Sequence, residues 1–361
     1  MAVKELKVVL TILLAFTVIA AFIIISELND TALAPVMIYI EYDVPEDIDD
    51  HDALLYIAST PPEILEAPEP EEEPEDEPED EPLPEPDEPF VDPGYVIVQM
   101  ESSDINRGNL ILVNHENAFV FPQDHENDLT PISDYITESV GITTENTILS
   151  ASIINPLNDM MDAFYENTNI TNVVIRSAFR SMSGQQQIFD NMVRRWGRTG
   201  ALRWAARPGH SEHHTGLAFD FGVRRSGQIE MFEGTGSYNW IPRNSHNFGF
   251  ILRYPSGKIS ITDTNFEPWH YRYVGIPHAS IMRTRNWVLE EYIENIREYT
   301  FEEPLEFIFD NIEYQIYFTS EMEIRLPYDV DFNISGNNID GFIVTIWESP
   351  DLEDCEFDGE V

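Results

Sequence analysis

The chain has 361 residues, with 66 Asp and Glu against 20 Lys and Arg, for a formal net charge of -46. That charge repels DNA, RNA and anionic lipid headgroups, all of which need a basic footprint, so nucleic acid is excluded as a partner. The only cysteine, Cys355, rules out an intramolecular disulfide and a thiolate metal cluster, which leaves His, Asp or Glu to hold any metal.

Lys4 and Lys7 precede an uncharged apolar run from Val8 to Ser26. Its length suits most of a bilayer core of about 30 Å, and the flanking lysines favour a cytoplasmic N-terminus. The expectation is a single-pass anchor in a bacterial cell membrane over residues 1–27, with everything beyond it outside. A cleaved signal peptide is the alternative, with Ala32-Leu33-Ala34 as a small-residue site. The anchor is preferred because the run exceeds a usual signal core and Glu27 and Asp30 separate it from that site. Residues 28–93 read as an extracytoplasmic linker. From Pro61 to Pro93 it alternates proline with acidic residues and contains no Lys or Arg. Missing backbone donors and like-charge repulsion predict a disordered, extended polyproline-II-like spacer, reaching on the order of 100 Å at 3.1 Å per residue. Calcium binding by this run is the sharper alternative, but charge runs are usually solvated.

Residues 94–299 read as one mixed α+β domain. Asn155-Pro156 opens an amphipathic helix carrying Leu157, Met161 and Phe164, with proline at its first position. Val173-Val174-Ile175 predicts a short buried strand. Ser183 to Gln186 has capping-box spacing ahead of a helix with a stripe of Ile188, Phe189, Met192 and Val193. Leu217 to Phe221 and Gly249 to Leu252 predict strands, and Ile281 to Ile296 has helical spacing. Residues 300–361 form an acidic extension with Arg325 its only basic residue. Ile312 to Thr319 and Gly341 to Trp347 predict strands there, with turn chemistry at Ser335 to Asn338 between them. This small β unit either packs on the main domain or stands alone, and its function is not legible.

Two polar clusters carry chemistry: His210-Ser211-Glu212-His213-His214-Thr215-Gly216-Leu217-Ala218-Phe219-Asp220 and Glu267-Pro268-Trp269-His270-Tyr271. A hydrolytic zinc site needs three N or O ligands and an open position for water, and His213, Asp220 and His270 could supply them. Glu267, three residues before His270, could take the proton from that water without being a ligand. Scattered His and Asp more often serve as hydrogen-bonded core or surface groups, but the full pattern S-x-H-x-x-G-x-A-x-D followed by E-P-W-H is far beyond coincidence.

On these residues the sequence resembles the VanY-type D-alanyl-D-alanine carboxypeptidases, zinc peptidases that share the hedgehog/DD-peptidase fold. The resemblance runs from about Leu110 to Tyr292 and includes Ser177-Ala178-Phe179-Arg180-Ser181, Gly249 to Pro255 and Tyr271 to Gly275. It implies an α+β domain with a central antiparallel sheet flanked by helices. It also implies one Zn2+ per chain on His213, Asp220 and His270, Glu267 as general base and Arg180 as the cation that steadies the oxyanion. Ser211 is a substrate or supporting contact. The implied substrate is the peptidoglycan stem peptide, which loses its terminal D-Ala. Two alternatives stand beside this: an L,D-carboxypeptidase of wall tetrapeptides, and a non-catalytic zinc-containing wall-binding module, against which Glu267 and Arg180 speak. Adjacent side chains point to opposite faces of a strand, so His213 and His214 should not share an ion. The family pattern selects His213 and leaves His214 as a polar rim residue. His246 and His278 are expected to be structural. Trp240, Trp269 and Tyr271 read as cleft or core residues, and Gly216 and Ala218 as small residues that let the backbone pass close to the metal.

Overall fold

The computed structural model describes residues 94–348. The apolar run Val8–Ser26, the acidic stretch Pro61–Pro93 and Cys355 lie outside the described residues. Among the described residues no helix is long and apolar enough to cross a membrane.

In chain order the strands and helices begin with β1 (Tyr95–Gln99), β2 (Leu129–Pro131), β3 (Gly141–Ile142), β4 (Ile148–Ser150), α1 (Ile154–Thr168), β5 (Val173–Ser177) and α2 (Met182–Ala201). The motif region contributes β6 (Ala218–Arg225), β7 (Gln228–Met231), the short helix α3 (Trp240–Asn244), β8 (Phe250–Leu252), the short helix α4 (Ile259–Thr262) and β9 (His270–Tyr273). Then come α5 (His278–Arg285), α6 (Leu289–Ile296), β10 (Leu305–Phe309), β11 (Ile312–Thr319), β12 (Glu323–Pro327), β13 (Asp331–Gly336) and β14 (Phe342–Trp347).

The central sheet has the order β3-β5-β6-β9-β8, with β7 pairing β6 beyond this path. It is antiparallel except for β3, which runs parallel to β5. Side chains alternate across a strand, so β6 sends Phe219, Phe221 and Val223 to one face and Ala218 and Asp220 to the other. The first set joins Leu157, Met161 and Phe164 of α1 in the main core. On β9, Tyr271 faces that core with Phe219 as its cross-strand partner, which leaves His270 and Arg272 on the face of Asp220. Trp240 and Trp269 pack against the same core, so all three aromatics are structural.

A second core forms around Ile251 of β8, the buried sides of α5 and α6, and Leu305, Tyr314, Ile316 and Ile343 of the C-terminal sheet. Leu289, Ile293 and Ile296 of α6 are nearly fully buried there. Each is worth about 1.5–3 kcal/mol in water-excluded area, enough to fix the C-terminal sheet on the main domain. That sheet has the order β10-β11-β14-β13. Its other face holds Tyr317, Phe342, Val344 and Ile346 against Ile324 and Leu326 of β12 and Val98 of β1. β1 pairs with β12 over its whole length, so the first described strand is built into the C-terminal unit.

Four local expectations change. The helix predicted over Ile281 to Ile296 is two helices, because Asn286 turns left-handed at φ 56° and ends α5. The cap of α2 is Ser181, whose hydroxyl accepts from the Gly184 amide at 3.2 Å, and Ser183 already lies inside the helix. Of the predicted α2 stripe only Phe189 is fully buried, because the solvent-facing helix leaves Ile188, Met192 and Val193 half-covered. In the tail, Ser335 and Gly336 end β13, and the turn begins at Asn337, whose Oδ1 accepts from the amides of Ile339, Asp340 and Gly341.

Candidate metal and catalytic site

Register builds the site. Asp220 of β6 and His270 of β9 are direct cross-strand partners, which places their side chains together on the sheet face turned away from the main core. Asp220 Oδ1 lies 2.9 Å from His270 Nδ1. His213 enters from the 3-10 turn Glu212–Thr215 that leads into β6, and its Nε2 lies 3.5 Å from Asp220 Oδ1. One ligand atom from each of the three side chains falls within 4.8 Å of the others.

Hydrogen bonds select the nitrogens that face inward. His213 Nδ1 donates to the Ala178 carbonyl at 2.8 Å, which leaves the Nε2 lone pair for Asp220's side of the site. His270 Nε2 lies 3.4 Å from Glu212 Oε2, so Nδ1 faces Asp220. This two-His, one-carboxylate set suits zinc, whose ligating imidazoles ordinarily donate their second nitrogen to a carbonyl or carboxylate. Burial, with Arg180 nearby, pulls the His213 pKa down to about 4, keeping the ring neutral and ready to ligate. Burial lowers His270 as well, but Asp220 and Glu212 outweigh it and raise its pKa to about 9. The same histidines hold Asp220 ionised despite its burial: His213 and His270 pull its carboxyl well below the usual range.

Glu267 is 8% exposed, with Oε2 3.9 Å from His270 Nδ1. Its amide donates to the Tyr254 carbonyl at 3.1 Å and its carbonyl accepts from the His270 amide at 3.1 Å. Burial pushes its pKa up to about 8. Arg180 follows β5 and is held from both ends of its guanidinium: Nη1 donates to Gln185 Oε1 and Nη2 to Ser177 Oγ, each at 2.7 Å. Ser177 is in turn the register partner of Asp220 across a bulge in β5. Burial lowers the Arg180 pKa, while Asp220 and Glu267 favour its charge. Ser211 is buried immediately before the turn that carries His213.

Two expectations about neighbours are corrected. His214 is completely buried and is no rim residue: Nδ1 bonds the Arg180 carbonyl at 2.6 Å and Nε2 accepts from the Gly209 amide at 3.1 Å. It joins the Arg180 loop to the motif. Gly216 makes its close approach to the β2–β4 pair, where a Cβ would meet Leu129 Cδ2 at 2.6 Å and the Ser150 amide nitrogen at 3.0 Å. His278 is structural as expected, bridging Tyr292 Oη at 2.7 Å and Thr345 Oγ1 at 3.2 Å.

Sequence reasoning missed the support beneath the ligands. Glu212 Oε1 accepts from Arg253 Nε at 2.8 Å and Arg272 Nη1 at 2.9 Å, and all three side chains are fully buried. Arg253 also makes a two-pronged pair with Glu290 at 2.7 and 2.8 Å, and Arg272 donates to the carbonyls of Asn109 and Ile111. The two guanidiniums overcome the cost of burying Glu212 and hold its carboxyl well below the usual range. The available signal was Arg253 directly after the apolar Phe250–Leu252 and Arg272 between two tyrosines, places where an unpaired buried charge would not survive.

The family model described as VanY, D-alanyl-D-alanine carboxypeptidase, matches residues 146–276. A D-alanyl-D-alanine carboxypeptidase of Enterococcus faecium is 32% identical over 248 residues, covering 67% of this chain and 76% of the relative. A D-alanyl-D-alanine carboxypeptidase of Enterococcus faecalis (strain ATCC 700802 / V583) is 34% identical over 205 residues, covering 54% of this chain and 68% of the relative. The crystal structure of the vancomycin-resistance D,D-dipeptidase VanXYg, in complex with a D-Ala-D-Ala phosphinate analog, superposes with a TM-score of 0.62 at 31% identity. The match covers 70% of this chain and 99% of that one. Identity, coverage and shared architecture agree, and this chain belongs to the VanY family of D-alanyl-D-alanine carboxypeptidases.

Proposed function

We propose that the protein is a zinc-dependent D,D-carboxypeptidase that removes the terminal D-Ala from peptidoglycan stem peptides. One observation carries the reading: one ligand atom each from His213, Asp220 and His270 falls within 4.8 Å of the others, with Glu267 buried and Arg180 partly buried beside them. One zinc per chain, held by His213, Asp220 and His270, would polarise the scissile carbonyl and lower the pKa of water towards about 7.

The chain's own groups do the rest. Glu267 takes the proton of the attacking water at its carboxylate and returns it to the departing amine, a cycle suited to a carboxyl raised towards neutrality by burial. Arg180, immobilised by Gln185 and Ser177, holds a fixed positive charge where the carbonyl oxygen becomes negative. Ser211 contacts the substrate from the turn before His213. Lys4, Lys7 and the apolar run support an exported, membrane-anchored chain with residues 94–299 as the catalytic domain, and protease added to intact cells tests that topology.

The deciding experiment offers a pentapeptide stem ending in D-Ala-D-Ala and, separately, a tetrapeptide ending in one D-Ala. Free D-Ala from the first and much less from the second is expected. The reverse preference overturns the D,D reading in favour of an L,D-carboxypeptidase.

A further inference from the structure

The whole chain is acidic, yet residues 191–211 contain five arginines and no Asp, Glu or Lys. All five, Arg194, Arg195, Arg198, Arg203 and Arg207, are exposed, and among the described residues none forms an ion pair with a carboxylate. Trp196 and Trp204 stand among them at 55% and 45% exposure. The Arg195 guanidinium lies 5.1 Å from the centre of the Trp196 ring. Large exposed aromatics beside unpaired guanidiniums mark binding surfaces, because both groups bind at little ordering cost.

This ridge borders the site. The Arg203 carbonyl accepts from the Asn265 amide at 3.2 Å, two residues before Glu267. The Ala206 carbonyl accepts from Gln185 Nε2 at 2.6 Å, and the same Gln185 holds Arg180. Gly197, at φ +71°, breaks α2 between the two tryptophans.

We infer that the ridge from Arg194 to Trp204 binds the glycan strand that carries the stem peptide, with sugar rings stacked on the two indoles and the carboxylates of neighbouring stems on that strand paired to the arginines. The inference rests on the proposed function in taking the wall as substrate. Charge complementarity favours it: the chain as a whole carries a net charge of -46, so an acidic wall polymer needs a local basic patch such as this one, and guanidinium forks match carboxylates in two-pronged pairs.

The test uses the full chain, zinc-loaded, in a Glu267→Gln background, sedimented with purified peptidoglycan sacculi stripped of phosphate polymers. A Trp196→Ala/Trp204→Ala pair and an Arg194→Gln/Arg195→Gln/Arg198→Gln triple should each bind sacculi about tenfold more weakly than the parent. The arginine triple should also show a flatter salt dependence. With Glu267 restored, both should keep kcat/KM on soluble pentapeptide within about twofold, since truncation away from the reacting groups leaves that chemistry intact. Unchanged sacculus binding overturns the inference. Loss on phosphatidylglycerol vesicles alone overturns it in favour of a membrane surface. A difference that emerges only after deletion of residues 61–93 overturns it in favour of the chain's own acidic stretch. Ridge-dependent sacculus binding by a protein that releases no D-Ala would keep this inference and remove the proposed reaction.

Discussion

Glu212 Oε2 approaches His270 Nε2 to 3.4 Å on the side of the ring opposite Asp220, while the other oxygen of the same carboxylate receives Arg253 and Arg272. One side chain thus orients a proposed ligand and neutralises two buried cations. Glu212→Gln should weaken zinc binding by about ten- to a hundredfold, measured by competition with a chromogenic chelator. It should also lower unfolding stability by about 3–5 kcal/mol, because the arginines lose their shared counter-charge. Zinc affinity equal to the parent's would remove Glu212 from the metal's support.

Metal binding and proton transfer separate by mutation. His213→Ala should lose zinc and turnover together, and chelation of the parent should abolish activity and lower its melting temperature. Glu267→Gln should keep zinc by elemental analysis while turnover falls by about a hundredfold or more. Normal turnover in Glu267→Gln would show that another group takes the proton.

Arg180→Ala should also retain zinc, since Arg180 touches none of the ligand atoms. Its loss should appear in kcat/KM as about 3 kcal/mol of transition-state stabilisation. A change in KM alone would make Arg180 a substrate-binding group instead.

His278 makes stability depend on acid. Burial depresses its pKa to about 3, against 6.5 for the exposed group, so between those values protons favour the unfolded chain. The contribution is complete above pH 6.5 and is lost as the pH falls towards 3, at about 1.4 kcal/mol per unit. Urea unfolding of the parent should weaken steeply over that window. His278→Gln, uncharged throughout, should start lower at pH 7.5 and show a shallower slope.

Gly216→Ala should destabilise the domain by about 1–3 kcal/mol, because the residue sits at φ +73° and its new methyl would press on Leu129 and Ser150. Retention of the parent's urea midpoint would show that the β2–β4 pair can move aside.

The candidate ligands are legible in the sequence because their positions are encoded locally: His213 and Asp220 lie in one motif, Glu267 and His270 in the other. Strand alternation then turns β6 and β9 so that Asp220 meets His270. Glu212 could not be assigned from sequence because its partners sit 41 and 60 residues away and meet it only after the sheet forms. The break between α5 and α6 was written in the sequence as Arg285-Asn286, a basic last turn followed by a residue that tolerates the left-handed region, but the apolar spacing continued across it. The packing of the C-terminal sheet depended on which face of each strand was paired with α6, information carried by three dimensions and not by periodicity.

The pairing of β1 with β12 sets where mechanical load enters the molecule. Tension applied to the chain ahead of Tyr95 acts first on that five-residue ladder, and behind it on further seams to the C-terminal sheet: the Gly336 amide to the Arg107 carbonyl, the Leu110 amide to Ser335, and Asn338 to the Leu112 carbonyl. β9 enters that line only behind the ladder, where Arg272 holds the Asn109 and Ile111 carbonyls. A chain pulled from ahead of Tyr95 would yield at the ladder while Asp220 and His270 stayed in register, so the C-terminal unit would act as a strain relief for the central sheet.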